Sequence, residues 1–115
     1  MSRAQGMAGE ELAAQYCSNN GYSILERNFR SAYGEIDIIA KKKDVISFIE
    51  VKQRAVFWHD PTELVPFAKQ QKIGAAARYY IAHHYDACIS YQFDVMLISN
   101  GSIMHIPDAF RLNDE

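Results

Sequence analysis

Long apolar runs are missing from this 115-residue chain. No stretch of about 18 consecutive apolar residues exists to span a membrane, and the first twenty residues, MSRAQGMAGEELAAQYCSNN, lack the continuous apolar segment of a secretory signal. They read instead as the first helix of the fold, and a cytoplasmic location follows as the default expectation. Cysteine is scarce: Cys17 and Cys88 stand far apart without CxxC spacing, which gives no support to a disulfide framework or zinc ribbon and leaves two reduced core thiols. His59, His83, His84 and His105 form neither an HExxH nor an HxH pattern, so they read as surface or loop histidines rather than a zinc site. Excess charge of either sign is also absent. A formal charge of −2 argues against indiscriminate nucleic-acid binding, while a local basic patch on an acidic body stays compatible with it.

What is present is an ordinary globular composition, 49% apolar and 23% charged, in a chain the size of one domain spanning residues 1–115. Residues 5–19 have helical spacing, with Leu12, Ala13, Tyr16 and Cys17 as the inward stripe and Glu10 at its edge, and NNG at 19–21 supplies the stop. YSILERNF reads as a strand and RSAYG as a turn. EIDIIA and VISFIEVK follow as two β-branched runs joined by KKKD, a hairpin pattern. In the next segment Asp60, Pro61 and Glu63 match an N-cap, a first helical proline and a capping-box acid, with Pro66 interrupting or restarting the helix. Phe67 to Tyr85 reads as one long helix whose inward residues are Ile73, Ala76, Ala77, Tyr80 and Ile81, and whose GAAA run permits close approach to a sheet. YQFDVMLIS, an NG turn at 100 and 101, and SIMHIP complete the chain as two more strands. The expected fold is α/β, a central mixed sheet of about five strands flanked by helices in the order α-β-β-β-α-β-β.

The hairpin raises a question of energetics. Alternation puts Glu50 and Lys52 on one face with Ile46 and Phe48, against Val45, Ser47, Ile49 and Val51 on the other, so the strand reads as central. In the preceding strand Glu35, Asp37 and Ile39 share a face, and Ile36, Ile38 and Ala40 share the opposite one. A turn centred on Lys43 and Asp44 places Asp37 directly opposite Glu50. Two opposed carboxylates in a sheet interior repel, and burial costs several kcal/mol each unless something compensates. Two readings stand open. In one, Lys52 neutralises Glu50 or Asp37 as a partly exposed salt bridge. In the other, Asp37, Glu50 and Glu10 supply oxygens to a hard divalent cation, and the adjacent Lys52 completes a phosphodiesterase site.

These residues carry a resemblance. Glu10, Asp37 and the run Glu50-Val51-Lys52 resemble the PD-(D/E)xK nuclease superfamily, with Ile36 standing where the motif's name has Pro. More closely, GEELA, GYSILERNFR, GEIDIIA, FIEVKQR, the helix with Lys69, Lys72 and AARYYI, and FDVM look like the YraN family of small bacterial proteins, which is similar to archaeal Holliday-junction resolvases. The likeness runs from about Gly9 to Phe110. It implies a restriction-endonuclease-like fold, with Asp37, Glu50, Glu10 and the Val51 carbonyl holding Mg²⁺ or Mn²⁺ and Lys52 as the catalytic lysine. By the same resemblance the partner is branched or structured DNA, handled in repair or recombination, and the assembly is a symmetric homodimer.

Other groups could meet nucleic acid. Arg54 follows the Glu50 strand, and Lys69 and Lys72 lie one turn apart on the long helix, placed to hold backbone phosphates. Lys41, Lys42 and Lys43 read mainly as a solubilising turn. Phe57 and Trp58 in a polar loop either tuck under it or stack on a ligand. Asp94 in QFDVM reads as a structural acid paired with a helix or a basic residue. The competing functional expectation is a nuclease-fold module that binds nucleic acid without cutting it.

Overall fold

The computed structural model describes residues 3–55, 61–85 and 89–112, with side chains for 8–55, 63–85 and 89–112. The elements in chain order are α1 (Arg3–Asn19), β1 (Ser23–Arg30), β2 (Glu35–Lys42), β3 (Val45–Gln53), α2 (Pro61–Leu64), α3 (Phe67–His84), β4 (Ser90–Ser99) and β5 (Ser102–Phe110). The expected order holds, and the helix expected to begin at Pro61 and be interrupted at Pro66 is the one-turn α2. Phe57, Trp58, His59, Asp60 and Cys88 lie outside the described residues, and with them the proposed N-cap.

The five strands lie side by side in sequence order. β3 and β4 are parallel, joined by the crossover that contains α3, and the other neighbours are antiparallel. The sheet separates two apolar layers. Ile39, Ile46, Phe48, Val95 and Leu97 pack with Ile73, Ala76, Ala77 and Tyr80 of α3. On the other side Ile38, Ala40, Ile49, Met96 and Ile98 pack with Ala13, Ala14 and Cys17 of α1. Burial on both faces is why β3 and β4 read as near-continuous apolar runs. The five inward residues expected on α3 are all buried. Ala76 and Ala77 are fully covered, so the small-residue run does set the helix close to the sheet.

Both tight turns follow their sequence signals. Asn100 and Gly101 have φ of 51° and 80°, the two positive values a type I′ hairpin turn requires. At the β2–β3 turn Lys43 takes φ 56°, and the ladder from Lys42↔Val45 to Ile38↔Ile49 has the register centred between Lys43 and Asp44.

One expectation about faces is corrected. Ile36 does not join Ile38 and Ala40 but packs in the layer under α3. The cause lies one residue away. Asp37 and Asn28 are bracketed by the pairs Arg27↔Ile38 and Phe29↔Ile36 without themselves appearing in the ladder, and Asn28 takes a left-handed φ of 54°. Strict alternation fails there, and β2 turns over at Asp37. A second irregularity lies between β4 and β5 at Phe93/Val95, beside Asp108 at φ 51°.

Gly34 sets how the β1–β2 loop meets α3. A Cβ on it would stand 2.8 Å from the Lys72 carbonyl oxygen, a backbone atom that cannot swing aside. Gly34→Ala is therefore expected to lower stability by about 1–2 kcal/mol through overpacking, read as a lower urea midpoint with unchanged slope. An unchanged midpoint would show that the loop does not depend on this contact.

Candidate active site

β3 is held centrally by pairing on both sides, so its alternation fixes Glu50 and Lys52 on the α3 side. β2 brings Asp37 to the same place at its irregularity, where pairing with β3 has ended at Ile38↔Ile49. The gap is closed by a side chain: Val51 N–H donates to Asp37 Oδ2 at 2.8 Å. A strand residue's N–H and C=O point to the same edge, so the Val51 carbonyl faces this gap as well. α3 then lays its first turns over the pair. Lys52 Nζ lies 3.2 Å from Glu50 Oε2, and Lys69 Nζ pairs with that same oxygen.

Glu50 is only 4% exposed, and its environment decides the protonation of the whole group. Asp37 is pushed up to about 8 by burial first, then by the Glu50 charge and by the hydrogen bond between the two carboxyls. Burial alone would raise Glu50 too. The hydrogen bonds from Asp37 and Lys69 and the charges of Lys69 and Lys52 outweigh it and leave Glu50 below the usual carboxylate range. One proton is thus shared between two carboxylates and resides on Asp37. Burial also makes Lys52 less basic than a free lysine, and the Lys69 charge beside it adds to this. Lys69, despite its own burial, is made more basic by Glu50. At neutral pH Glu50 is thus the anion of the group and Lys69 its protonated partner, with Asp37 mainly neutral.

The carboxylates open into a hollow of about 520 Å³ rimmed by Gly34, Glu35, Pro66, Ala68 and Lys72. Asp37, Glu50, Lys52, Lys69 and Lys72 are thereby brought together. Glu10 reaches the site by its field, which helps raise Asp37. A Cβ on the neighbouring Gly9 would meet the Gln53 amide at 2.6 Å, so α1 comes against the outgoing end of β3 there. Among the described residues no three His, Cys, Asp or Glu side chains converge as a ready cage. The donors that do face the gap are the carboxylates of Asp37 and Glu50 and the Val51 carbonyl. All are hard oxygens and suit Mg²⁺ or Mn²⁺ with waters completing the shell. A divalent cation in place of the shared proton would also remove the repulsion that holds Asp37 protonated, so the residues present fit the group.

Other sequence-stated residues fall elsewhere. Arg54 lines a separate hollow with Leu12, Gln53 and Ile98 and donates to the Gln53 carbonyl. Lys41 and Lys42 turn back over the rings of Tyr85 and Tyr22. Asp94 is a structural acid as expected, fully buried and accepting from Gln92 Nε2, His105 Nε2 and the Asp108 N–H. His105 is corrected from a surface or loop residue: it sits in β5 with its side chain 12% exposed, edge-on to Tyr16 and Tyr22. Its partner lies across the β4–β5 bulge, which spacing alone does not reveal. Lys69 was expected at phosphate and is found on Glu50, a contact without a sequence signal because it depends on the rotation of α3.

Residues 9–98 match the model of the uncharacterised protein family UPF0102. A UPF0102 protein of Clostridium botulinum (strain Loch Maree / Type A3) is 46% identical over 117 residues, covering 93% of this chain and 94% of the relative. Another from Persephonella marina is 39% identical over 110 residues, covering 95% of each. A third, from Fervidobacterium nodosum, is 43% identical over 107 residues, covering 90% of this chain and 80% of the relative.

The shared proton has a measurable consequence. Because folding raises Asp37 from 3.8 to about 8, its contribution to stability is full below pH 4 and is lost as pH rises toward 8. Asp37→Asn keeps an acceptor for Val51 N–H and a donor for Glu50 without the charge. In chelator, this variant is expected to melt above the wild type at pH 8, with the gap closing toward pH 5. A difference of about 1 kcal/mol corresponds to roughly 4–8 °C in a domain of this size. Parallel melting curves across that range would refute the shared proton.

Proposed function

This chain belongs to the uncharacterised protein family UPF0102, the YraN family, and we propose that it is a metal-dependent endonuclease hydrolysing phosphodiester bonds in branched or structured DNA. The observation that carries the reading is the apposition of Asp37 and Glu50 beside the Val51 carbonyl, with Lys52 on Glu50. A purely structural ion pair needs one acid and one base. This group spends a second carboxylate against its own repulsion, which becomes useful only when a cation replaces the proton.

Asp37, Glu50 and the Val51 carbonyl would hold the ion, with Glu10 adding negative field from α1. When bound, Mg²⁺ or Mn²⁺ supplies Lewis-acid polarisation of the phosphate and of the attacking water. The chain's own groups do the rest. Asp37 would be held as the carboxylate in a loaded site. Lys52, beside Glu50 and made less basic than a free lysine by burial, would orient the attacking water and offset the charge developing at phosphorus. Lys69, paired with Glu50 in the metal-free site, would become free to meet an incoming phosphate, together with Lys72 at the rim, once Glu50 held the ion. Arg54 belongs to the outer DNA contacts, beyond the end of β3. Attack in line with departure of the 3′ oxygen leaves a 5′ phosphate.

A four-way junction requires two coordinated cuts, so the proposal includes a symmetric homodimer with two such sites. β1 and β5 are the strands with an open edge, and the apolar β4 is enclosed by β3 and β5. The edge of β5, which carries SIMHIP, is the candidate pairing surface.

A second reading keeps DNA binding and discards cleavage. It draws on the fact that Lys52 and Lys69 already neutralise Glu50 without any metal. Two measurements separate the readings. Four-way junctions, flaps, single strands and linear duplex are incubated with Mg²⁺ or Mn²⁺, and Asp37→Ala and Lys52→Ala are each expected to reduce cleavage at least about 100-fold, the scale of losing an acid–base or electrostatic group. Calorimetry is expected to show Mn²⁺ binding that Asp37→Ala abolishes. Absence of cutting on every substrate, or activity unchanged in both variants, would falsify the catalytic assignment, and DNA binding without cation affinity would favour the binding module.

A further inference from the structure

The two open edges of the sheet, β1 and β5, are built differently. β1 carries Glu26, Arg27 and Arg30, a register shift between Ile24 and Glu26, and a left-handed Asn28 at φ 54°. Charges and irregularities of this kind discourage a further strand. β5 from Ser102 to Ile106 carries no Lys, Arg, Asp or Glu, and its ladder with β4 is unbroken from Ser99↔Ser102 to Val95↔Ile106. Only beyond it do Pro107 and the left-handed Asp108 interrupt the edge. Among the described residues no strand pairs with the outer side of β5.

The hairpin fixes which backbone groups face outward. Around a two-residue turn the flanking pair, here Ser99↔Ser102, is hydrogen-bonded, and bonded pairs alternate from there. Ser102, Met104 and Ile106 therefore direct their N–H and C=O groups to β4, while Ile103 and His105 direct theirs away from the sheet. Proline at 107 removes the donor that would come next.

We infer that this edge pairs antiparallel with the same edge of a second copy, about a twofold axis through Met104. This deepens the homodimer of the proposed nuclease and rests on that reading only for what the two sites do.

The register follows from the donors. With Met104 opposite the partner's Met104, Ile103 lies opposite the partner's His105, and His105 opposite the partner's Ile103. Each pair exchanges two hydrogen bonds, so every outward N–H of Ile103 and His105 meets an outward carbonyl. Centring the seam on Ile103 instead would set His105 against the turn at Gly101, and centring it on His105 would set Ile103 against Pro107, which has no donor to return. The side chains agree. Ile103 and His105 pack on the α1 side, so alternation turns Met104 to the α3 side, where it is 41% exposed. On the axis it is covered by its own counterpart, with Cα atoms about 4.5 Å apart in a non-bonded pair.

Such an axis is normal to the sheet and keeps both carboxylate sites on one face of a continuous ten-stranded sheet. Glu50 is level with Val95 and through it with Ile106. In an untwisted sheet the two Glu50 positions are therefore roughly 28 Å apart, at about 4.8 Å per strand and 3.4 Å per residue. One nucleic acid lying across the seam meets both.

The test uses the full chain without DNA or metal, so it does not depend on cleavage. Sedimentation at micromolar concentration is expected to give a dimer that Met104→Leu retains. Met104→Asp is expected to raise the dissociation constant at least about 100-fold, by setting two carboxylates against each other on the axis, with the circular dichroism of the wild type. In a Cys88→Ser background, Met104→Cys is expected to form an intermolecular disulfide under mild oxidation, because its Cα spacing lies in the bridging range. Ser102→Cys, about 14 Å from its counterpart along the strands, is expected to form none. A monomeric wild type, normal dimerisation of Met104→Asp, or a cross-link at Ser102→Cys with none at Met104→Cys would each overturn the pairing. The two proposals fail separately: a β5-paired dimer that cuts nothing removes only the nuclease, and cutting by a monomer removes only the pairing.

Discussion

The structure turns on two carboxylates that should repel and are kept together. Asp37 and Glu50 meet because β2 and β3 share a register fixed at the far end of the hairpin, by the turn at Lys43 and Asp44. Their meeting ends the ladder. Asp37 replaces a backbone acceptor by taking the Val51 N–H, and β2 rolls over so that Ile36 packs under α3. The cost of the buried acids is offset in three ways: a proton on Asp37, and the ammoniums of Lys52 and Lys69 on Glu50. Such compensation has to be supplied from more than one element, because a single strand cannot place several cations around one oxygen. α3 is therefore part of the site as well as of the core.

The same helix links packing to electrostatics. Ala76 and Ala77 bring it down onto the sheet, Gly74 leaves room for Leu112 from the end of the chain, and Gly34 lets the β1–β2 loop close on the Lys72 carbonyl. Lys69 on the first turns of this helix pairs with Glu50 across this contact. The other ionic cluster of the fold behaves differently. Asp94 has three donors in His105, Gln92 and the Asp108 N–H, leaves no carboxylate opposed to it, and closes a bulge. Both acids are buried, yet only the Asp37–Glu50 pair contains an interaction that is unfavourable as it stands.

Periodic features of the fold were legible in the sequence. The α3 stripe, the central position of β3, the NG turn and the hairpin register are set by neighbours within a few residues, and local spacing encodes them. Asp37 opposite Glu50 was legible for that reason, as was the shared face of Glu50 and Lys52. What stayed hidden depends on contacts between elements. Alternation put Ile36 with Ile38, and the kink at Asn28 and Asp37 reversed it. The Lys69–Glu50 pair follows from the rotation of α3 over the sheet, the His105–Asp94 pair from the extra residues in β5, and the closeness of Gly34 to Lys72 from a loop meeting a helix backbone. Arg54, adjacent in sequence to the Glu50 strand, lies at a different hollow because the chain leaves the sheet there. Sequence proximity to a site residue was a poor guide to position once the strand had ended.

The balance of charges around Glu50 bears on the proposed function. Lys52 and Lys69 already compensate Glu50, so a divalent ion held by Asp37 and Glu50 would have to displace both the proton on Asp37 and the Lys69 ion pair. An anionic strand would favour that exchange by taking up the released ammonium while the ion compensated the carboxylates. In the proposed nuclease, cation and nucleic acid would therefore be coupled ligands, with Lys69 carrying the coupling.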